Sequence, residues 1–215
     1  MTKILIVDDH PVVLQGIHDV MSEYADIEVV GEAADGREAI KKIESLKPDF
    51  VIMDIVMPYL NGIEATRQIK KQYPDVKVVI FTLHSYQEFI HPLIEAGVSG
   101  FVLKENPISD LYLAIQVIQR GGAYFSEDVQ QFLASYFGST TDGKMEEDPF
   151  DLLSDREREV FQLLAEGRSV REAAELLFIS SKTIEAYRYR IMEKLQINSM
   201  AEWIRVAIRR GILSL

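Results

Sequence analysis

Five short apolar runs punctuate the first half of the chain: KILIVDD (residues 3–9), IEVVGEA (27–33), DFVIMDI (49–55), VKVVIFT (76–82) and GFVLK (100–104). Rich in Val, Ile and Phe and without a period of two, they suit strands buried on both faces, as in a parallel sheet. Segments with helical spacing follow each of them, at 11–24, 35–46, 61–73, 86–96 and 107–120. In the last, Leu111, Ile115 and Ile118 share one stripe, with Asn106 as expected N-cap and Pro107 at the first helical position. Five repeats of strand then helix leave few topologies open. The pattern predicts an α/β doubly wound sheet with helices on both faces.

The pattern changes after Gly121-Gly122. SEDVQQFLASYF (126–137) reads as one more helix, and GSTTDGKMEEDPFD (138–151) is polar and acidic with no apolar period, the composition of a flexible linker. Beyond it the signal is all helical. Ser154 with Glu157, Ser169 with Glu172 and Ser199 with Glu202 each match the S-x-x-E capping box, in which hydroxyl and carboxylate satisfy orphan amides at a helix start. A further start near Ser180 or Ser181 makes four short helices. Charge divides the same way: the net charge is -7 over 1–122, -5 over 123–150 and +1 over 151–215, against -11 for the whole chain. Only the helical tail is free of acidic excess, so the two halves are expected to have different partners. With no cysteine in the chain, disulfides, thiolate metal sites and cysteine nucleophiles are excluded. No window approaches the roughly 18 apolar residues of a membrane span, and MTKILIVDDH carries acids where a signal peptide needs a longer apolar core. A cytoplasmic location without membrane partners is the expectation.

In open parallel sheets, sites form at the carboxyl ends of strands. Asp8 and Asp9 end the first run, Asp54 the third, Thr82 the fourth and Lys104 the fifth. Crowded carboxylates raise one another's pKa unless a cation intervenes, and a hard divalent ion with oxygen ligands, Mg²⁺, resolves the repulsion. The remaining groups then suggest phosphoryl chemistry, with Asp54 as nucleophile and Thr82 and Lys104 donating to phosphoryl oxygens. His10 reads as an exposed loop residue, since Mg²⁺ prefers oxygen. His84 lies near the site mouth, where tuning phosphoryl lifetime or a plain loop role are both open; His18, His91, Met53 and Met57 read as structural.

The phrases LIVDDHPVVLQGI, VIMDIVMPYLNGIEA and GVSGFVLKENP make residues 1–122 resemble a response-regulator receiver domain of the NarL/FixJ subgroup. The resemblance implies a flavodoxin-like five-stranded parallel sheet of order 2-1-3-4-5, with Asp54 as phospho-acceptor. It also implies that Asp9, Asp54 and the backbone carbonyl of Val56 bind Mg²⁺ directly, with Asp8 acting mainly through water. Thr82 and Lys104 would bind the phosphoryl group supplied by a sensor histidine kinase. Phe101 falls at the family's switch aromatic, commonly Tyr, so the switch here would act by packing alone.

Residues 153–208 resemble the LuxR-type helix-turn-helix domain over nearly their full length, through L-S-x-R-E-x-E-V, the A-E-G turn, E-A-A-x-L-L, S-x-K-T-I-E and K-L-x-I. The expected domains are a receiver at 1–122, a linker with one helix at 123–150, and an all-α four-helix DNA-binding domain at 151–215. Its second helix (170–177) would cross the DNA backbone and its third (181–195) would enter the major groove. Ile184, Tyr187, Ile191 and Leu195 form the core stripe of that third helix. Its base-reading positions correspond to Glu185, Ala186 and Tyr189, where relatives often carry a basic residue at the first and last. Lys182, Arg188, Arg190 and Lys194, with Arg168 and Arg171 beside them, would hold phosphates, which position without specifying, and Thr183 is expected among the DNA-binding residues. Trp203 reads as core.

A two-component response regulator follows from these resemblances: a dimer on activation, bound to double-stranded promoter DNA, with RNA polymerase a candidate partner, and no enzyme beyond its own Mg²⁺-assisted phosphorylation and dephosphorylation. Two rivals stay open at this stage. One is a Mg²⁺-dependent phosphohydrolase working through an aspartyl phosphate, although Val56 stands where haloacid-dehalogenase-like phosphatases carry a second acid. The other is a receiver-containing interaction module without a DNA target.

Overall fold

The computed structural model describes residues 1–83, 86–139, 149–210 and 212–213. They divide into two compact units, Met1–Thr141 and Asp142–Leu215.

In the first unit, strands β1 (Thr2–Val7), β2 (Ile27–Ala33), β3 (Phe50–Met53), β4 (Lys77–Thr82) and β5 (Gly100–Leu103) alternate with helices α1 (Pro11–Ser22), α2 (Gly36–Leu46), α3 (Gly62–Gln72), α4 (Tyr86–Glu95) and α5 (Ser109–Gln119). All five runs expected to be strands are strands. They pair in parallel, and the sheet order is β2-β1-β3-β4-β5-β6, where β6 (Tyr124–Phe125) is a sixth strand that the sequence reading did not contain. Parallel strands covered on both faces must be apolar on both, and the two cores show it. Leu5, Val7, Val51, Met53, Val78 and Ile80 face one side; Ile4, Ile6, Phe50, Ile52, Val79 and Phe81 face the other.

Two local expectations need correction. Asn106 does not cap α5: the helix starts at Ser109 after a turn in which Asp110 N–H donates to the Pro107 carbonyl, and the Asn106 side-chain oxygen is buried without a hydrogen bond. The helix expected at 126–137, α6 (Glu127–Ser139), is not a free connector. β6 pairs with β5, Phe101 opposite Phe125, and the Ser126 N–H donates to the Phe101 carbonyl. Val129 of α6 is fully buried in the cluster that holds Phe101, Ile90 and Leu93. The six-stranded unit therefore reaches past residue 122. The rest of the expected linker, 140–148, and His84 lie outside the described residues.

The second unit contains a short 3-10 turn (Pro149–Leu152) and helices α7 (Asp155–Ala165), α8 (Val170–Leu177), α9 (Ser181–Leu195) and α10 (Met200–Arg209). All three predicted capping boxes form, at Ser154, Ser169 and Ser199, and Ser180 caps α9 by accepting from the Thr183 N–H. Trp203, 1% exposed, stacks on Phe161 with ring centroids 4.7 Å apart and donates its indole N–H to the Phe161 carbonyl. Arg158 is buried because its charge is met: its guanidinium donates to the Leu153 carbonyl and to Asp151 and lies over the Phe150 ring. Among the described residues, no helix is long and apolar enough to cross a membrane.

Candidate functional site

The ladder that builds the sheet also aims the functional side chains. One residue past each strand, parallel pairing continues: the Asp8 N–H donates to the Ala33 carbonyl, Asp54 to Val7, and Lys104 to Thr82. Asp8, Asp54, Thr82 and Lys104 are thereby fixed at the carboxyl edge of four adjacent strands. The Lys104 ammonium bridges two carboxylates, 2.6 Å from Asp8 Oδ2 and 2.5 Å from Asp54 Oδ2. These residues come from positions 8, 54 and 104, so only the folded sheet brings them together. Asp8 and Asp54 are 1% and 5% exposed; buried acids of this kind are held only with compensation.

Burial is the main force pushing the Asp8 carboxyl above its usual range; the Asp54 charge adds to it, and the Lys104 hydrogen bond opposes it. For Lys104, burial works against the charged form but is outweighed by Asp54 and then Asp8, and the ammonium is held above its ordinary value. Asp54 Oδ1 accepts the Ile55 N–H at 2.7 Å. Space here is tight: a Cβ on Gly62, the first residue of α3, would sit 2.0 Å from the Asp54 carbonyl oxygen. That glycine lets α3 start against the loop carrying Asp54 and Val56, a requirement the sequence reading did not identify.

Asp9 and His10 are exposed. Asp8, Asp9, His10 and Asp54 each offer a ligand atom, and these atoms lie within 4.8 Å of one another. His10, expected to be a plain loop residue, has its Nδ1 2.8 Å from Asp9 Oδ1 and 3.2 Å from Asp8 Oδ1. Its proximity in sequence to the acids was the only signal for this. Three carboxylates with an exposed side are a donor set that suits a hard divalent cation. Thr82 is fully buried at the end of β4, and Phe101 is fully buried in β5, three residues before Lys104.

In the second unit, α8 and α9 form a helix-turn-helix. The turn passes through Phe178, left-handed at φ 54°. The expected core stripe of α9 is seen, with Ile184 and Ile191 buried and Tyr187 and Leu195 half-buried. Lys182, Glu185, Ala186, Arg188, Tyr189 and Arg190 are exposed together, and the Arg190 guanidinium lies 5.6 Å from the centroid of the Tyr187 ring. Two residues expected at the DNA are otherwise engaged. The Thr183 hydroxyl lies 2.8 Å from the Ser180 hydroxyl within the α9 cap. Lys194 turns inward, donating to Glu157 Oε2 at 2.7 Å and to the Leu152 carbonyl at 2.9 Å. Glu157 is 3% exposed and already belongs to the α7 capping box, so a lysine at the end of α9 neutralises it at lower cost than burial alone would allow.

Residues 4–116 match the response regulator receiver domain, and residues 151–207 match the luxR family of bacterial regulatory proteins. The chain is 37% identical over 213 residues to response regulator GacA of Pseudomonas syringae pv. syringae (strain B728a), covering 99% of this chain and 98% of that one. It is 37% identical over 214 residues to the oxygen regulatory protein NreC of Staphylococcus carnosus (strain TM300), covering 98% and 99%. Among solved structures it is similar to RcsB from Salmonella enterica serovar Typhimurium bound to promoter P1flhDC in the presence of phosphomimetic BeF3-. There the TM-score is 0.61 at 28% identity, over 97% of this chain and 98% of that one.

Proposed function

Because the chain belongs to the NarL/FixJ response regulators, with a receiver domain followed by a LuxR-type DNA-binding domain, we propose that Asp54 accepts a phosphoryl group from a sensor histidine kinase and that the phosphorylated chain binds promoter DNA as a dimer. The observation that carries this reading is the bridge from Lys104 to both Asp8 and Asp54. An ammonium already hydrogen-bonded to the Asp54 carboxylate lies where it can follow a phosphoryl oxygen once Asp54 Oδ2 becomes the bridging oxygen of an acyl phosphate. The Thr82 hydroxyl supplies a second donor. Asp9, Asp54 and the Val56 carbonyl would hold Mg²⁺ directly and Asp8 would do so mainly through water; the ion would neutralise charge developing on the transferred group. Thr82 and Phe101, the latter packed against β6 and α6, relay the change to a surface that dimerises or releases the C-terminal helices. The domain limits remain our proposal, with residues 123–139 assigned to the receiver on the strength of their packing.

At the DNA, α9 enters the major groove. Glu185 is suited to accept from a cytosine amino group, Ala186 and the Tyr189 ring to touch a thymine methyl. Lys182, Arg188 and Arg190 hold phosphates. A cytoplasmic location follows for a protein with such partners, and RNA polymerase is a further one. The receiver's chemistry is directed to its own phosphorylation and dephosphorylation, not to an external substrate.

The test is selection of bound duplexes from a random pool. Wild type should recover a two-part site with half-sites about one helical turn, roughly 10 bp, apart. Glu185→Ala should relax one position in each half. Identical sequence profiles for the two proteins would remove Glu185 from base reading. No enrichment by wild type, with or without phosphodonor, would favour an interaction module.

A further inference from the structure

Phe178 closes α8 and opens the turn into α9. Its N–H donates to the Glu175 carbonyl and the Ile179 N–H donates to the Ala174 carbonyl, bonds that end a helix through a left-handed residue. That conformation, φ 54° here, suits glycine, because a Cβ crowds the neighbouring carbonyl. An aromatic stands there instead, and it is 92% exposed, the most of any large apolar residue among the described residues. A ring left in water gains no burial to offset the strained backbone. Phe178 lines an open groove together with Arg171, Ala174 and Glu175 of α8 and Ser180 and Ser181 at the start of α9. The Arg171 side chain is 86% exposed and its Nε lies 3.0 Å from Glu175 Oε1. Such an exposed pair is worth little, so the arginine exchanges Glu175 for a phosphate at small cost.

We infer, resting on the reading of α8 and α9 as the DNA-binding unit, that this groove receives one strand of the DNA backbone and that the Phe178 ring packs on a deoxyribose there, between phosphates held by Arg171 and Lys182. With α9 in the major groove and α8 across the backbone, the turn that joins them lies between base edges and phosphates. A nucleic-acid backbone presents apolar sugar carbons between anionic oxygens. The groove presents an apolar ring beside Arg171, and Lys182 is exposed on the first turn of α9. Cations flanking the ring favour a polyanion over an apolar protein surface. Sugar contacts carry no sequence information. Phe178 therefore adds affinity for every duplex alike, whereas Glu185 adds preference for a base.

The experiment measures affinity of the full chain for the duplex that wild type selects from a random pool, and for an unrelated duplex, in Phe178→Gly, Phe178→Asn and Phe178→Tyr. Glycine and asparagine both accept the left-handed turn, and tyrosine keeps the ring. The glycine and asparagine variants should lose about tenfold in affinity for both duplexes, with the salt slope unchanged because an apolar contact releases no counterion. The tyrosine variant should stay close to wild type. Denaturant midpoints followed by Trp203 fluorescence should be unchanged, or raised in Phe178→Gly. Unchanged DNA affinity in the glycine and asparagine variants overturns the inference, and a fall in transcription alongside it would assign the ring to a protein partner. Loss in Phe178→Gly alone, or a loss that tracks a lowered midpoint, reduces Phe178 to a structural turn residue and overturns it as well. Failure of wild type to select any duplex overturns the DNA-binding reading beneath it.

Discussion

Lys194 and Arg190 sit four residues apart on one helix, and their contacts assign them different work. Arg190 is exposed above Tyr187, whereas Lys194 is committed to Glu157 and the Leu152 carbonyl. Arg190→Ala should weaken binding to all duplexes alike and lower the slope of log affinity against log salt by about 1. Lys194→Ala should also weaken binding, by loosening α9 from α7, but with the salt slope unchanged; a slope reduced as in Arg190→Ala would return Lys194 to the phosphate contacts. The sequence put Lys194 among the phosphate contacts and could not reveal a buried carboxylate from 37 residues earlier. The same pair has a pH signature. Burial opposes the ionised Glu157, but the Lys194 and Ser154 hydrogen bonds outweigh it and hold its pKa below 4.5. A depressed carboxylate stabilises fully above its unfolded value and ceases to do so as pH falls through its folded one. Glu157→Gln should therefore cost about 1–2 kcal/mol near neutrality, and the difference from wild type should shrink as pH falls below the usual carboxylate range. Trp203, the one tryptophan in the chain and buried in this unit, gives the fluorescence signal for denaturant melts.

Elements differ in how much of their cause is local. The five long strands and three capping boxes could be read from the sequence because each is specified within a few residues, by an apolar run or by a serine and glutamate three apart. β6 could not: two residues carry no periodicity, and Tyr124–Phe125 is a strand only because β5 has an open edge beside it. Asn106-Pro107 has the residues of a helix start, yet an intervening turn takes over and the helix begins later. The packing of α6 through Val129 makes a checkable demand. Val129→Ala should destabilise the receiver by about 1–2 kcal/mol, measured by thermal melting followed by circular dichroism. An unchanged receiver transition would mean α6 is not part of that core. At the carboxyl edge of the sheet, Gly62→Ala must displace the backbone of the Asp54 loop, because its Cβ would sit 2.0 Å from the Asp54 carbonyl oxygen. A loss of about 1–3 kcal/mol is expected, with a slower gain of label at Asp54 from a small phosphodonor. Wild-type stability and labelling in that variant would show that the loop yields freely.

At the scale of the whole molecule, the charge distribution separates two kinds of chemistry. The acidic excess lies in the first 150 residues, while the last 65 carry a slight positive balance, and Lys182, Arg188 and Arg190 of α9 are exposed. A net charge of -11 is no obstacle to DNA binding when the acidic excess lies outside the helical unit. Screening reduces its reach further, to about 10 Å at moderate salt. The two halves are joined functionally if adding a phosphoryl group to the acidic half changes what the basic half does. The direct measurement is the affinity of the full chain for a selected duplex, before and after treatment with a small-molecule phosphodonor and Mg²⁺, in wild type and in Asp54→Asn. The account predicts that the phosphodonor raises the affinity of wild type and leaves Asp54→Asn unchanged. An equal rise in both proteins, or label appearing on Asp54→Asn, would contradict it.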